Sequence, residues 1–140
     1  MSGLLDSSLR GQVGLRLDRP MRARLDQLVD EEARARGLSP ERYAVLVRED
    51  AETRQRLIDK LVVPTTSFFR HPEQFAGLAS LLPGLPSPVV AWSAGCSNGQ
   101  EPYSVAMLLA ESGVADWRVV ATDISTTALE RAAAGRYGER

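Results

Sequence analysis

Two stretches in the second half of the sequence bring together residue types that can hold a ligand. Val89-Val90-Ala91-Trp92-Ser93 is a short apolar run, and Ala94-Gly95-Cys96-Ser97-Asn98-Gly99 follows it. Arg118-Val119-Val120-Ala121-Thr122 is a second such run, and it ends at Asp123. A strand, a glycine-bearing loop, a helix and an acid at the tip of the next strand make a ligand-binding arrangement. Glycine lets a ligand approach the backbone closely. The loop lies outside the carboxyl ends of the strands, where open parallel sheets bind small molecules. A carboxylate at Asp123 can accept both hydroxyls of a ribose, or it can simply cap the strand end and the next helix. Spacing leaves both roles open. Gly95 and Gly99 do not form Gly-x-Gly-x-x-Gly, which weighs against a nicotinamide dinucleotide site and the oxidoreductase reading that goes with it.

The elements that must position these residues follow from period and punctuation. Pro72-Glu73 opens a helix with Phe75, Leu78, Ala79 and Leu82 on one side. Pro83 to Pro88 is a stiff loop. Pro102 is expected to start a helix with Val105, Ala106, Leu108 and Leu109 inward. Ser125 caps a last helix through Ala128, Leu129 and Ala132, and Gly135 stops it. Strand, helix, strand, helix is a βαβα unit with parallel strands. The first part reads as helical. Leu17, Met21, Leu25, Leu28 and Val29 form one apolar stripe, and Gly37 ends it. Ser39-Pro40-Glu41 starts a second helix with Tyr43, Leu46, Val47 and Ala51 buried. Arg54 to Leu61 is a third, stopped by Pro64.

Composition separates the two parts and removes several classes. The chain has 140 residues, 17 basic and 18 acidic, for a net charge of −1. Residues 1–61 hold 12 of the basic and 11 of the acidic residues, whereas both tryptophans and most prolines come later. A balanced charge argues against a general nucleic-acid binder. One cysteine and one histidine, Cys96 and His71, argue against a disulfide framework and a zinc site, so no metal is expected. No apolar run reaches the roughly 18 residues of a membrane span, and a cytoplasmic protein is the expectation. Arg16, Arg19, Arg22, Arg24, Arg34 and Arg36 crowd the first helix, but Asp18, Asp26, Asp30, Glu31 and Glu32 interleave with them. A solvated face with local ion pairs therefore competes with a partner-binding one. Phe68 and Phe69 are expected to pack in the core, Cys96 to be a buried filler, His71 to mark a helix start and Tyr103 to pack near the loop.

Three blocks carry a resemblance. Thr65-Thr66-Ser67-Phe68-Phe69-Arg70, then Trp92 to Ser104 with its Gly-Gln-Glu-Pro-Tyr-Ser ending, then Ala121-Thr122-Asp123-Ile124-Ser125 resemble, in order and separation, the CheR-type chemotaxis receptor methyltransferases. Gly135-Arg136-Tyr137 fits the same pattern. Pro64 stands where the family commonly has Asn, and Gln100 where it often has Glu.

The resemblance implies an α/β fold: a small all-α N-terminal domain, residues 1–62, followed by the first βαβα part of a Rossmann-like methyltransferase sheet, residues 63–140. It implies S-adenosylmethionine as methyl donor, glutamate side chains of chemoreceptor cytoplasmic domains as acceptors, and adaptation in chemotaxis as the setting. Arg70, the one residue it assigns to catalysis, would engage the methionine carboxylate, with Thr66 in the same segment. Glu101 would pair with the amino group, Asp123 would hold the ribose, and the backbone at Ala94, Gly95 and Cys96 would line the cofactor's path. A zwitterionic amino-acid end needs one cation and one anion, and arginine can grip a carboxylate with two parallel bonds.

The family's later motif has no counterpart in these residues. Two strands cannot cover both faces of a parallel sheet, so Val89, Val90, Val119 and Val120 are expected to lack neighbours on one or both edges, and self-association through the unfinished sheet is a second expectation. The 140 residues are expected to bind the cofactor weakly and not to turn over alone. The alternative is a non-catalytic family member that acts as a receptor- or partner-binding module.

Overall fold

The computed structural model describes residues 2–138, and it divides into two compact units, residues 1–63 and 64–140. Its described residues form seven α-helices and a two-stranded parallel sheet.

The first unit is helical: α1 Ser2–Val13, α2 Arg19–Ala35, α3 Pro40–Glu49 and α4 Ala51–Leu61. Short polar side chains start three of them. Asp18 Oδ1 accepts the Met21 N–H at 2.9 Å, Ser39 Oγ the Arg42 N–H at 3.3 Å, and Asp50 Oδ2 the Thr53 N–H at 2.7 Å. Leu25, Val29 and Ala33 turn the buried stripe of α2 toward Tyr43 and Val47 of α3 and Leu57, Ile58 and Leu61 of α4. Leu17 precedes α2 yet is buried, so it belongs to the core but not to the helix. α1 is an addition to the sequence expectation. Its serines and glycines are poor helix formers, and burial of Leu5 and Leu9 is what holds it. Ala51 departs from its expected place. Asp50 ends α3 and caps α4, so Ala51 is the first residue of a new helix and is exposed.

The first unit's cations are partly committed within it. Arg22 pairs with Asp6 at 3.0 Å, and an Arg24 guanidinium N–H donates to the Lys60 carbonyl at 2.9 Å. Arg36 pairs with Glu32 and lies 5.3 Å from the Tyr43 ring centroid, and Lys60 pairs with Glu32 as well.

The Asp50 cap is also a pH sensor of this unit's stability. Hydrogen bonds from the Thr53 side chain and backbone hold its carboxyl below the ordinary aspartate value. The folded value lies below the unfolded one, so the stabilisation is present above about pH 4 and fades as pH falls through the folded value. Thermal melts should place Asp50→Ala below the parent at pH 7, with the gap closing toward pH 3. A gap of constant size would contradict this.

The second unit contains α5 Pro72–Leu81, a 3-10 turn at Leu82–Gly84, β1 Val89–Ala94, α6 Gln100–Glu111, β2 Trp117–Thr122 and α7 Thr126–Ala134. β1 and β2 run parallel, with Val89 opposite Trp117 and Ala94 opposite Thr122. Side chains alternate along a strand, so the two faces separate. Val89, Ala91, Trp117 and Val119 share a core with Leu82, Leu109, Val105 and Leu108. On the opposite face Val90, Trp92 and Val120 stay exposed, Trp92 at 70%. α6 begins at Gln100, two residues before the proline expected to start it, because Gly99 at φ +96° turns the chain into the helix. Ser125 caps α7 and left-handed Gly135 ends it, as the sequence predicts. Among the described residues, no helix is long and apolar enough to cross a membrane.

Candidate functional site

The loop after β1 is tied to the end of β2. The Thr122 carbonyl accepts the N–H groups of Gly95 at 2.8 Å and Cys96 at 2.9 Å. Asp123 Oδ2 accepts the Ser97 N–H at 2.7 Å, and Oδ1 accepts the Ser125 N–H at 2.8 Å. Of the two roles open to Asp123 in the sequence, the structure contains the capping one. Each carboxylate oxygen keeps a further lone pair for a ligand hydroxyl. Cys96 lies buried under the loop and donates its S–H to the Ser97 carbonyl at 3.6 Å. Burial, with Asp123 nearby, pushes its thiol up, which suits an inert filler.

A second segment, residues 65–71, meets the start of α6. Phe69 at φ +48° and His71 at φ +60° are left-handed without being glycine, and they flank Arg70. Such a conformation costs about 1–2 kcal/mol per residue, so neighbouring contacts must hold it. The Phe69 N–H donates to Ser104 Oγ at 2.9 Å, and the Phe69 ring meets Phe75 edge-on at 5.3 Å. Phe68 meets Tyr137 edge-on at 4.9 Å. Both phenylalanines are about two-fifths exposed, 40% and 42%, so the expected core packing is replaced by ring-edge contacts at the surface. Arg70 donates to the Thr65 carbonyl at 3.1 Å. His71 precedes α5 and provides no side-chain cap.

These two segments enclose a small polar cleft of about 80 Å³, lined by Thr65, Thr66, Ser67, Arg70, Phe75, Gly95 and Glu101. It therefore gathers four of the sequence-predicted residues, Thr66, Arg70, Gly95 and Glu101. Arg70 and Glu101 also line an adjoining hollow of about 310 Å³ with Gln74, Leu78 and Val105. Glu101 is oriented by Ser93, whose O–H donates to its Oε1 at 2.6 Å. Gly95, at φ +75°, has nothing within 4 Å of where a Cβ would stand. Ala94, Cys96 and Asp123 are not part of the cleft lining. Ala94 closes β1 and Asp123 follows β2 on the same end of the sheet.

A cation and an anion facing one small cleft suit a zwitterionic amino-acid group. The open space over Gly95 suits the rest of an elongated ligand. This donor set fits S-adenosylmethionine.

Several functional neighbours lie in the motif blocks of the sequence without a site role having been assigned to them. Ser93 orients Glu101, and Ser104 holds Phe69. Tyr137 donates to the Asn98 carbonyl at 2.7 Å, and Tyr103 donates to the Ala132 carbonyl at 3.1 Å, so Tyr103 packs on α7 and Tyr137 as well as near the loop. The hints for Ser104 are its place at the end of the Gly-Gln-Glu-Pro-Tyr-Ser block and one helical turn after Glu101. Among the described residues, buried oxygens of Ser97, Asn98 and Gln100 have no hydrogen-bond partner. Asn98 and Gln100 open onto a larger cavity of about 650 Å³, which Arg131, Arg136 and Tyr137 also line.

Comparison with known proteins points to the same cofactor. Residues 64–140 match the family model described as CheR methyltransferase, SAM binding domain. A "Probable biofilm formation methyltransferase WspC" of Pseudomonas putida KT2440 is 34% identical over 140 aligned residues, covering 93% of this chain and 33% of the relative. A "Chemotaxis protein methyltransferase" of Escherichia coli K12 is 42% identical over 86 residues, covering 59% of this chain and 30% of the relative. One of the same name from Listeria monocytogenes is 33% identical over 100 residues, covering 67% and 38%. The chain thus spans little more than a third, at most, of the length of these relatives.

Proposed function

The chain belongs to the CheR methyltransferase family, whose matched domain binds S-adenosylmethionine, and from that premise we propose that it serves the methylation of glutamate side chains on chemoreceptor cytoplasmic domains. The observation that carries this reading is the cleft in which Arg70 and Glu101 meet beside Gly95. We read the first unit as the family's small helical domain and the βαβα segment as the opening of a Rossmann-like sheet.

In this reading Arg70 grips the cofactor's carboxylate and Glu101 takes its ammonium group. Thr66 and the backbone of Ala94, Gly95 and Cys96 border the path of the rest. Asp123 uses its spare lone pairs toward the ribose hydroxyls while it keeps the loop tied down. When bound, S-adenosylmethionine supplies an electrophilic methyl group on a sulfonium. The acceptor carboxylate has a reference pKa of about 4.3 and is already ionised at neutral pH, so no residue of this chain has to remove a proton. What the chain contributes is alignment and exclusion of water, and alignment alone can be worth about 7–11 kcal/mol.

The acceptor protein can belong to chemotaxis or to a biofilm-forming signalling system. The alignment with the biofilm-formation relative, which also covers most of the helical unit, favours keeping both. Because residues 1–140 are not expected to turn over alone, incubation of the protein at the full length of its relatives with tritiated donor and receptor cytoplasmic fragments tests the acceptor chemistry. A glutamate ester releases its label as volatile methanol in alkali. Alkali-stable label would contradict the reading. Cofactor binding without any transfer would favour the partner-binding alternative.

A further inference from the structure

We propose that Ser104 is a positioning residue for Arg70: its hydroxyl clamps the 68–71 turn to the first turns of α6, so that Arg70 is held toward the cleft it shares with Glu101. The proposal rests on the reading that Arg70 and Glu101 take the amino-acid end of the cofactor.

Ser104 is fully buried at 0% exposure. Its oxygen accepts the Phe69 N–H at 2.9 Å, while its own O–H donates to the Gln100 carbonyl at 2.7 Å. Among the described residues, the Phe69 N–H has no other hydrogen-bond partner. Phe69 and His71, the neighbours of Arg70, are both left-handed, so this turn does not hold its shape by local preference. Glu101 sits one turn before Ser104 on α6, so a single rigid element carries both the anion and the clamp for the cation. Removing the hydroxyl leaves α6 its own backbone bonds, but frees Phe69 to leave the left-handed region and carry Arg70 with it.

A double-mutant cycle in the full chain tests this, with S-adenosylhomocysteine titrated calorimetrically. Ser104→Ala is expected to weaken binding about 5–10-fold, the scale of one lost hydrogen bond. In an Arg70→Ala background the same change should cost less than about twofold, because the clamp acts through Arg70. Equal weakening in both backgrounds would make Ser104 merely structural and overturn the proposal. Two readouts need no ligand. The Phe69 amide should exchange slowly in the parent chain and fast in Ser104→Ala, and the Arg70 side-chain Nε–H should become more mobile by NMR relaxation. A fast Phe69 amide in the parent overturns the clamp. If the parent fails to bind S-adenosylhomocysteine, the cofactor reading fails, and the amide and Arg70 measurements still decide this one.

Discussion

Replacing Arg70 by alanine is expected to weaken binding of S-adenosylhomocysteine by about 100-fold while leaving the melting temperature nearly unchanged. Hydrogen bonds to charged groups contribute about 1.5–3 kcal/mol each. A guanidinium gripping a carboxylate makes two in parallel, so about 3 kcal/mol, or roughly a hundredfold, is at stake. Arg70 is exposed, and its hydrogen bond within the chain is an exposed one to the Thr65 carbonyl, so folding loses little. Arg70→Lys keeps the charge but not the planar fork and should fall between parent and alanine. Glu101→Gln should weaken binding through the opposite pole of the ligand. A control at Arg42, an exposed cation of the first unit, should leave binding alone. Equal effects at Arg70 and Arg42 would show general electrostatics instead of a site.

Gly99→Ala is expected to destabilise the second unit by about 3 kcal/mol. The residue is buried at φ +96°, where a side chain costs about 1–2 kcal/mol. Its Cβ would stand 2.6 Å from the Tyr137 hydroxyl and 2.8 Å from the Ala132 Cβ. Relieving that overlap moves Tyr137 off the Asn98 carbonyl or pushes α7 away, and such overpacking costs about 1–3 kcal/mol more. For a unit of this size the melting temperature should drop by about 10–20 °C. Gly77 provides the opposite case. It lies inside α5 with nothing within 4 Å of an added Cβ, so Gly77→Ala should stabilise by about 0.5–1 kcal/mol. Similar destabilisation at both positions would contradict the packing described here.

The elements that were legible in the sequence are those with local signals. Ser39-Pro40, Ser125 and Gly135 mark helix ends through their own side chains or backbone preferences, and they mark them in the structure too. The parallel pair follows from two apolar runs separated by one helix. What was not legible depends on contacts across the chain. α1 is held by buried Leu5 and Leu9 and not by its composition. α6 starts at Gln100 because Gly99 fits against Ala132 and Tyr137, more than thirty residues on. Arg70 and Glu101 were named through family resemblance. Their shared cleft depends on two left-handed residues and on the bond from Phe69 to a serine 35 positions further on, a contact that no local pattern announces. The bonds from Asp123 to Ser97 and Ser125 show the same limit, since spacing alone left its capping and ligand roles equally open.

The central claim is that residues 64–140 hold S-adenosylmethionine in the cleft between Arg70 and Glu101. Its most direct test is an NMR titration of the isotope-labelled chain with S-adenosylhomocysteine. Saturable shifts are expected at Thr66, Arg70, Gly95, Glu101 and Asp123, with the helices of the first unit unmoved. Absence of saturable shifts, or shifts confined to the cavity beside Arg131 and Arg136, would contradict it.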